Sequence, residues 1–243
     1  MGPPSASGAA STANGASPPD ARPPGRRASS SLRPRDPATA HPVSPRSDAP
    51  SADPRVTSVL GAVDQHATGD AREARSRIEI LTRLRSLDRP FDRDAAPTHV
   101  TASAVVVGVR GVLLHRHRRL HRWLQPGGHL DPGEWPEDGA RRECTEETGL
   151  VVGHPPGGPV LVHVDVHGAA DDHVHLDLRY LLLGPDADPN PPPGESQEVA
   201  WFAWDEAQAL ADEALDGALR TAHRLIATRV IVAPGVTPEE TDG

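Results

Sequence analysis

Apolar positions along this chain follow two different periods. Between Val56 and Leu87 they recur at helical spacing. There "VTSVLGAV" and then "REARSRIEILTRLRSL" bring Ile78, Ile80, Leu81, Leu84 and Leu87 near one stripe, with arginines elsewhere. From Pro97 the period shortens to two. The Val-rich "HVTASAVVVGV" predicts a strand, and "GVLLHRH" its hairpin partner after Arg110-Gly111. "PVLVHVDVHG" alternates as a strand does. In "HVHLDLRYLLLG" the alternation puts His173, His175, Asp177 and Arg179 on one face, with Val174, Leu176, Leu178 and Tyr180 on the other. "EVAWFAW" predicts a last strand, preceded by "PDADPNPPPGES", a loop with too many prolines to join a ladder. "DEAQALADEALDGALRTAHRLIATRVI" predicts helix with an interruption near Asp216-Gly217. A further helix interrupts the strands. It begins at Pro136, whose missing N–H is no loss in a first turn, and ends at Gly149, a natural terminator. This order predicts an α/β fold, a mixed sheet with helices packed on its faces.

Composition divides the 243 residues further. Residues 1–54 are almost wholly Pro, Ala, Ser, Gly and Arg and cannot bury enough apolar surface to offset their ordering entropy, so they predict a disordered tail. Val56 is an alternative start for translation, a point that the native mass would decide. Residues 55–96 predict a helical extension, 97–232 the main domain and 233–243 a flexible C-terminal tail. The extension either covers the domain or exchanges with a second copy, giving a homodimer. A net charge of −9 argues against a nucleic-acid partner, and no apolar run is long enough for a membrane. One cysteine, Cys144, excludes an internal disulfide framework and suits a reducing, cytoplasmic setting.

The densest chemistry lies in "QPGGHLDPGEWPEDGARRECTEETGL", Gln125 to Leu150. On the helix within it, Glu143, Glu146 and Glu147 stand at i, i+3 and i+4 and so project from one face, while Ala140 and Cys144 occupy the neighbouring, sheet-facing side. Such carboxylates repel by a few tenths of a kcal/mol per pair even in water. They form either a solvated face or the oxygen cage of a hard divalent cation such as Mg²⁺ or Mn²⁺. Glycines ahead of the helix let backbone approach such an ion closely.

Spacing favours the second reading. Five residues separate Gly128 from Glu134 and seven separate Glu134 from Arg142, which opens "RECTEETGL". This resembles the Nudix box, G-x5-E-x7-R-E-U-x-E-E-x-G-U with U apolar, at every fixed position. Cys144 at an apolar place and Gly139 where a helix former is commoner are mild departures; the glycine costs ~1 kcal/mol of helix stability. The resemblance implies an α/β/α sandwich that hydrolyses a nucleoside diphosphate linked to another moiety, using Mg²⁺ or Mn²⁺. It makes Glu143, Glu146 and Glu147 the expected metal ligands, assisted by the Gly127 carbonyl and Glu134. Arg142 would orient the acids by ion pairing, and Glu143, with Glu195 and Glu198 as rivals, would be the general base. Two other functions share the fold: a non-catalytic ligand sensor, disfavoured by the intact acids, and an isopentenyl-diphosphate isomerase. The isomerase needs a cysteine outside the box, which this chain lacks. The substrate class includes ADP-ribose, sugar nucleotides, dinucleoside polyphosphates and oxidised nucleotides.

Around the box, "RGVLLHRHRRLHRW" is locally basic, and Arg116, Arg118, Arg119 or Arg122 can meet phosphate in a bidentate fork or simply solvate a hairpin. Trp123 either stacks on a base or caps the core, and His129 is a candidate phosphate contact. His173, His175 and Asp177 share a strand face and have the right chemistry for zinc. They lack a third histidine at a recognisable spacing, so substrate contact and a structural role stand beside that reading.

Overall fold

Two capped helices come first in the computed structural model, which describes residues 53–169 and 172–228. Helix α1 (Pro54–Gln65) starts where the Asp53 carboxylate accepts from the Arg55 N–H, and α2 (Ala71–Leu84) where Asp70 accepts from the Glu73 N–H. Each cap satisfies one amide that the first turn would leave orphaned. The two expected tails lie outside the described residues, apart from Asp53 and Pro54. So does the end of the last predicted helix. Ile80, Leu81 and Leu84 are buried, whereas Ile78 is 63% exposed and departs from the expected stripe. Two residues on a helix stand about 200° apart, so Ile78 cannot share a face with Ile80.

Strands β1 (Thr98–Gly108), β2 (Gly111–Arg116), β3 (Trp123–Leu124), β4 (Gly127–His129), β5 (Val160–Gly168), β6 (Val174–Leu183) and β7 (Val199–Phe202) form one mixed sheet. Its order is β3-β2-β1-β6-β5, with β4 on β1 and β7 on β2. Only β1 and β6 run parallel. The region of β3 and β4 reads in sequence as turn-rich loop. At two and three residues they are too short for a periodic signal, and pairing with β2 and β1 defines them.

Helix α3 (Pro136–Thr148) packs Ala140 and Cys144, both fully buried, against Val100, Ala102, Leu176 and Leu178, together with Val56, Val59 and Val63 of α1 and Ile80 and Leu84 of α2. On the other face, α4 (Trp204–Leu210) and α5 (Glu213–Ala227) cover Val105, Val107, Val112, Leu114 and Leu181 with Ala207, Leu215, Ala218 and Leu219. The result is the expected α/β/α sandwich. Each buried leucine contributes about 1.5–3 kcal/mol by leaving water.

Two glycines that look like weak points prove to be places of close approach. Helix α5 runs unbroken through Gly217, and the break falls earlier, at Ala211-Asp212. A Cβ at Gly217 would stand 3.0 Å from His163 Nε2, so the glycine lets α5 lie close to β5. A Cβ at Gly139 would meet Leu130 Cδ2 at 2.4 Å. The glycine therefore lets Leu130 pack directly on α3.

The sheet edge at β5 is covered by side chains of α2. The amides of Val164 and Val166 donate to Glu73 Oε1 (3.2 Å) and Ser76 Oγ (3.1 Å), which removes two free donors from an edge strand. Glu73 is buried and also accepts from His66 Nε2 at 2.7 Å and the Gly69 N–H at 2.6 Å. Burial opposes its charge, but these donors outweigh it and hold the carboxyl below its ordinary range.

Candidate active site at the fork of the sheet

Strand β1 changes partner along its length. Val106 to Gly108 pair with β2, whereas Thr101 to Ser103 pair with β4. The sheet forks there, and a cavity of about 410 Å³ follows the fork. Thr101 and Ser103 of β1, His115 of β2, Gly127, Gly128 and His129 of β4, His167 of β5, and His175 and Asp177 of β6 all line it.

The two glycines of β4, which line this cavity, also meet the side chains of α3. A Cβ on Gly127 would stand 2.3 Å from Ser103 Cβ, and one on Gly128 would stand 2.7 Å from the Glu143 carboxyl carbon. Glycine at the first lets β4 meet β1; glycine at the second gives Glu143 its place. Gly149, in the left-handed region at φ 71°, closes α3 through its N–H to the Thr145 carbonyl.

Arg142 organises the acids. Its Nε and Nη2 donate to the two oxygens of Glu134 at 2.8 and 2.9 Å, and its Nη1 donates to Glu143 Oε1 and Glu146 Oε2, each at 3.0 Å. Nη2 also reaches the His129 carbonyl at 2.8 Å. Glu134 is thus engaged as the anchor of the arginine. Burial opposes its charge, yet Arg142 keeps its carboxyl low. Glu143 lies deeper, and burial raises it despite Arg142. Glu147 accepts from the Gly127 N–H at 2.9 Å and lies 3.8 Å from His115 Nδ1. Burial pushes the Glu147 carboxyl up to about 8, with Glu143, Glu195 and Glu146 adding repulsion.

The remaining residues singled out in the sequence separate into two groups. His129, His175 and Asp177 come together on the cavity. Asp177 is held by Arg179 Nε at 3.0 Å, Ser103 Oγ at 2.9 Å and Thr101 Oγ1 at 3.1 Å. Burial opposes its charge, but Arg179, His167 and the Ser103 hydroxyl together hold the carboxyl below its ordinary range. Arg116 and Glu198, expected separately, pair with each other at 2.9 Å away from the cavity lining. Of the local arginines, Arg119 lines the cavity. Trp123 packs edge-on against Phe202, ring centroids 4.8 Å apart, and serves the core; it is not among the cavity residues. Cys144 is buried, and burial pushes its thiol up to about 12, so it offers no nucleophile.

Sequence reasoning missed His99, His115, Thr101, Ser103 and His167. The signal was present. "HVTAS" and "VHVDVH" carry polar residues at every second position, as "HVHLDLR" does, and the register places them in rows: His99 beside His175 beside His167, and Thr101 beside Asp177 beside Asp165. No helix among the described residues is long and apolar enough to cross a membrane.

Comparison with known proteins places the chain. Crystal structures with partial likeness include a NUDIX-family hydrolase from Clostridium perfringens, at 27% identity, TM-score 0.45, covering 52% of this chain and 97% of that one. A MutT NUDIX hydrolase from Burkholderia pseudomallei shows 26% identity and TM-score 0.43, over 50% and 95% of the two chains. A C. elegans Ap4A hydrolase binary complex shows 24% identity and TM-score 0.46, over 53% and 98%. At such TM-scores these likenesses carry no weight in the assignment. The family model described as NUDIX domain matches residues 97–223, more than half of the chain and all of the fork, box and carboxylate helix. The chain therefore belongs to the Nudix family.

Proposed function

We propose that this chain is a pyrophosphohydrolase dependent on Mg²⁺ or Mn²⁺, cleaving a nucleoside diphosphate linked to another moiety. The observation that carries this reading is the Arg142 network. One guanidinium fixes Glu143 and Glu146, while Glu147 accepts from the amide of Gly127, a residue that lines a cavity of suitable size for a nucleotide. The donor set fits a hard divalent cation. It is all oxygen, and Glu147 is a buried acid whose charge is costly without a positive partner. Glu143, Glu146, Glu147 and the Gly127 carbonyl would hold the ion. When bound, it neutralises phosphate oxygens and lowers the pKa of coordinated water.

The chain's own groups supply the rest. Glu143 accepts the proton of the water that attacks phosphorus; burial raises its carboxyl above the ordinary range, which makes the carboxylate a better proton acceptor. Arg142 keeps that carboxylate and Glu146 in fixed rotamers, and Glu134 keeps Arg142 in place. Arg119, His129 and Gln125 line the cavity and offer donors to the diphosphate and its attached moiety.

A screen of nucleotide diphosphates with Mg²⁺, scored for released phosphate or mononucleotide, tests the reading. Turnover should vanish with EDTA and return with Mg²⁺. A non-catalytic sensor would bind a nucleotide from the same panel and release no product.

A further inference from the structure

The polar face of the sheet carries a second cluster, separate from the carboxylates of α3. His99 of β1, His129 of β4 and His175 of β6 offer ring nitrogens that all lie within 4.8 Å of one another. Pairing brings them there: His99 is the register partner of His175, and His129 stands opposite Thr101, two residues along the same face as His99. Ring centroids are 5.0 Å apart for each of the three pairs.

His99 is the informative member. It is fully buried, its Nδ1 lies 3.3 Å from the Ala96 carbonyl, and its Nε2 has no hydrogen-bond partner. Donation from Nδ1 to a backbone carbonyl fixes the tautomer in which Nε2 carries a bare lone pair, an arrangement that orients metal-binding imidazoles. A buried acceptor left unsatisfied is destabilising, so such a nitrogen calls for a partner. Within the trio there is no carboxylate. Asp177, the nearest candidate along β6, is already held by Arg179, Ser103 and Thr101. Three neutral nitrogens suit a borderline ion and not a hard one.

We infer that His99, His129 and His175 form a binding site for a transition-metal ion, Zn²⁺ in the first instance, on the wall of the substrate cavity and distinct from the carboxylate site. Zn–N bonds of about 2.0–2.1 Å set ligand nitrogens roughly 3.3 Å apart, so nitrogens within 4.8 Å of one another need to close by at most about 1.5 Å. His129 and His175 line the cavity, so the fourth position opens toward it for water or a substrate oxygen.

The full-length chain, freed of any affinity tag, is loaded with Zn²⁺, dialysed against a weak chelator and analysed for metal content; Co²⁺ loading adds a visible spectrum that reports a tetrahedral nitrogen site. One zinc per chain should be retained in wild type, in His223→Ala and in Glu147→Gln, and the Co²⁺ bands should be strong in each. His175→Ala and His129→Ala, both at the cavity wall and checked for folding by circular dichroism, should each weaken retention on the order of 100-fold and abolish the bands. His99→Ala should do the same, but the inference does not depend on it, because that buried variant can fail to fold. Zinc lost from Glu147→Gln yet retained by His175→Ala would move the ion to the carboxylates and overturn the site. So would wild type that retains none. These readouts need no turnover, so they stand or fall apart from the hydrolase reading.

Discussion

Adjacent glycines on β4 should give opposite phenotypes when each is replaced by alanine. At Gly128 the new Cβ would lie 2.7–2.8 Å from the carbon and oxygens of the Glu143 carboxylate, the free end of a flexible side chain. The backbone there lies outside the left-handed region, so alanine itself fits. Glu143 must swing aside and lose its bond to Arg142, a charged hydrogen bond worth about 1.5–3 kcal/mol. Restricting the unfolded chain returns about 0.4–1 kcal/mol. The net cost of Gly128→Ala is then about 1–2 kcal/mol, or a Tm lowered by roughly 2–8 °C for a chain of this size. Activity should suffer far more, because a misplacement of about 1 Å at a reacting group costs on the order of 100-fold. At Gly127 the new Cβ would meet Ser103 Cβ at 2.3 Å, its Cα at 2.5 Å and the Ala102 carbonyl at 2.7 Å. Those atoms belong to the buried strand β1 and cannot swing away. Gly127→Ala must part β4 from β1 and should cost about 3 kcal/mol or more, as overpacking does. Thermal unfolding and steady-state hydrolysis of the best nucleotide from the screen read the two outcomes. Full turnover in Gly128→Ala would show that the position of Glu143 over Gly128 is not used, and equal loss of stability in both variants would refute the steric reasoning.

Other outcomes follow from the same geometry. Glu147→Gln should cut turnover by orders of magnitude and leave Tm of the metal-free protein unchanged or higher, since burial already disfavours the charge of Glu147; a large drop in Tm would make that residue structural. Glu73→Ala strips acceptors from the Gly69 and Val164 amides and from His66, and should cost about 3–5 kcal/mol by urea unfolding. Acid should destabilise the fold through His115 and His163, which burial lowers from 6.5 to about 4. Both are neutral when folded and gain a proton near 6.5 once unfolded, so stability is intact above that pH and falls below it, by about 2 kcal/mol each between pH 7 and pH 5. Glu147, raised to about 8, acts in the opposite sense over that range, so the test is by variant: a pH dependence of the urea midpoint left unchanged in His163→Gln would count against the neutral burial of His163.

Local chemistry made much of this legible in advance. Pro136 and Gly149 mark the two ends of α3, and the spacing of Glu143, Glu146 and Glu147 follows from the helical repeat alone. Valine content marked β1, the hairpin turn β2 and alternation β5 and β6, and the faces of β6 are as expected, with Leu176, Leu178 and Tyr180 in the core and His175 and Asp177 at the cavity. Where reading failed, a partner distant in sequence was responsible. Gly217 looks like a helix break until His163 is seen against it, and the pairing of Arg116 with Glu198 has no local signal.

The sequence by itself determined the Nudix box, the carboxylate stripe and the alternation of core and polar positions, because each depends on residues within a few turns of helix or a few steps of strand. The tertiary structure alone decided which polar positions meet. His99, His129 and His175 are far apart in the chain, and only the parallel pairing of β1 with β6 and the antiparallel pairing of β4 with β1 set them in one cluster. A shift of one residue in either register would turn an imidazole to the opposite face of the sheet, and no local pattern encodes that choice.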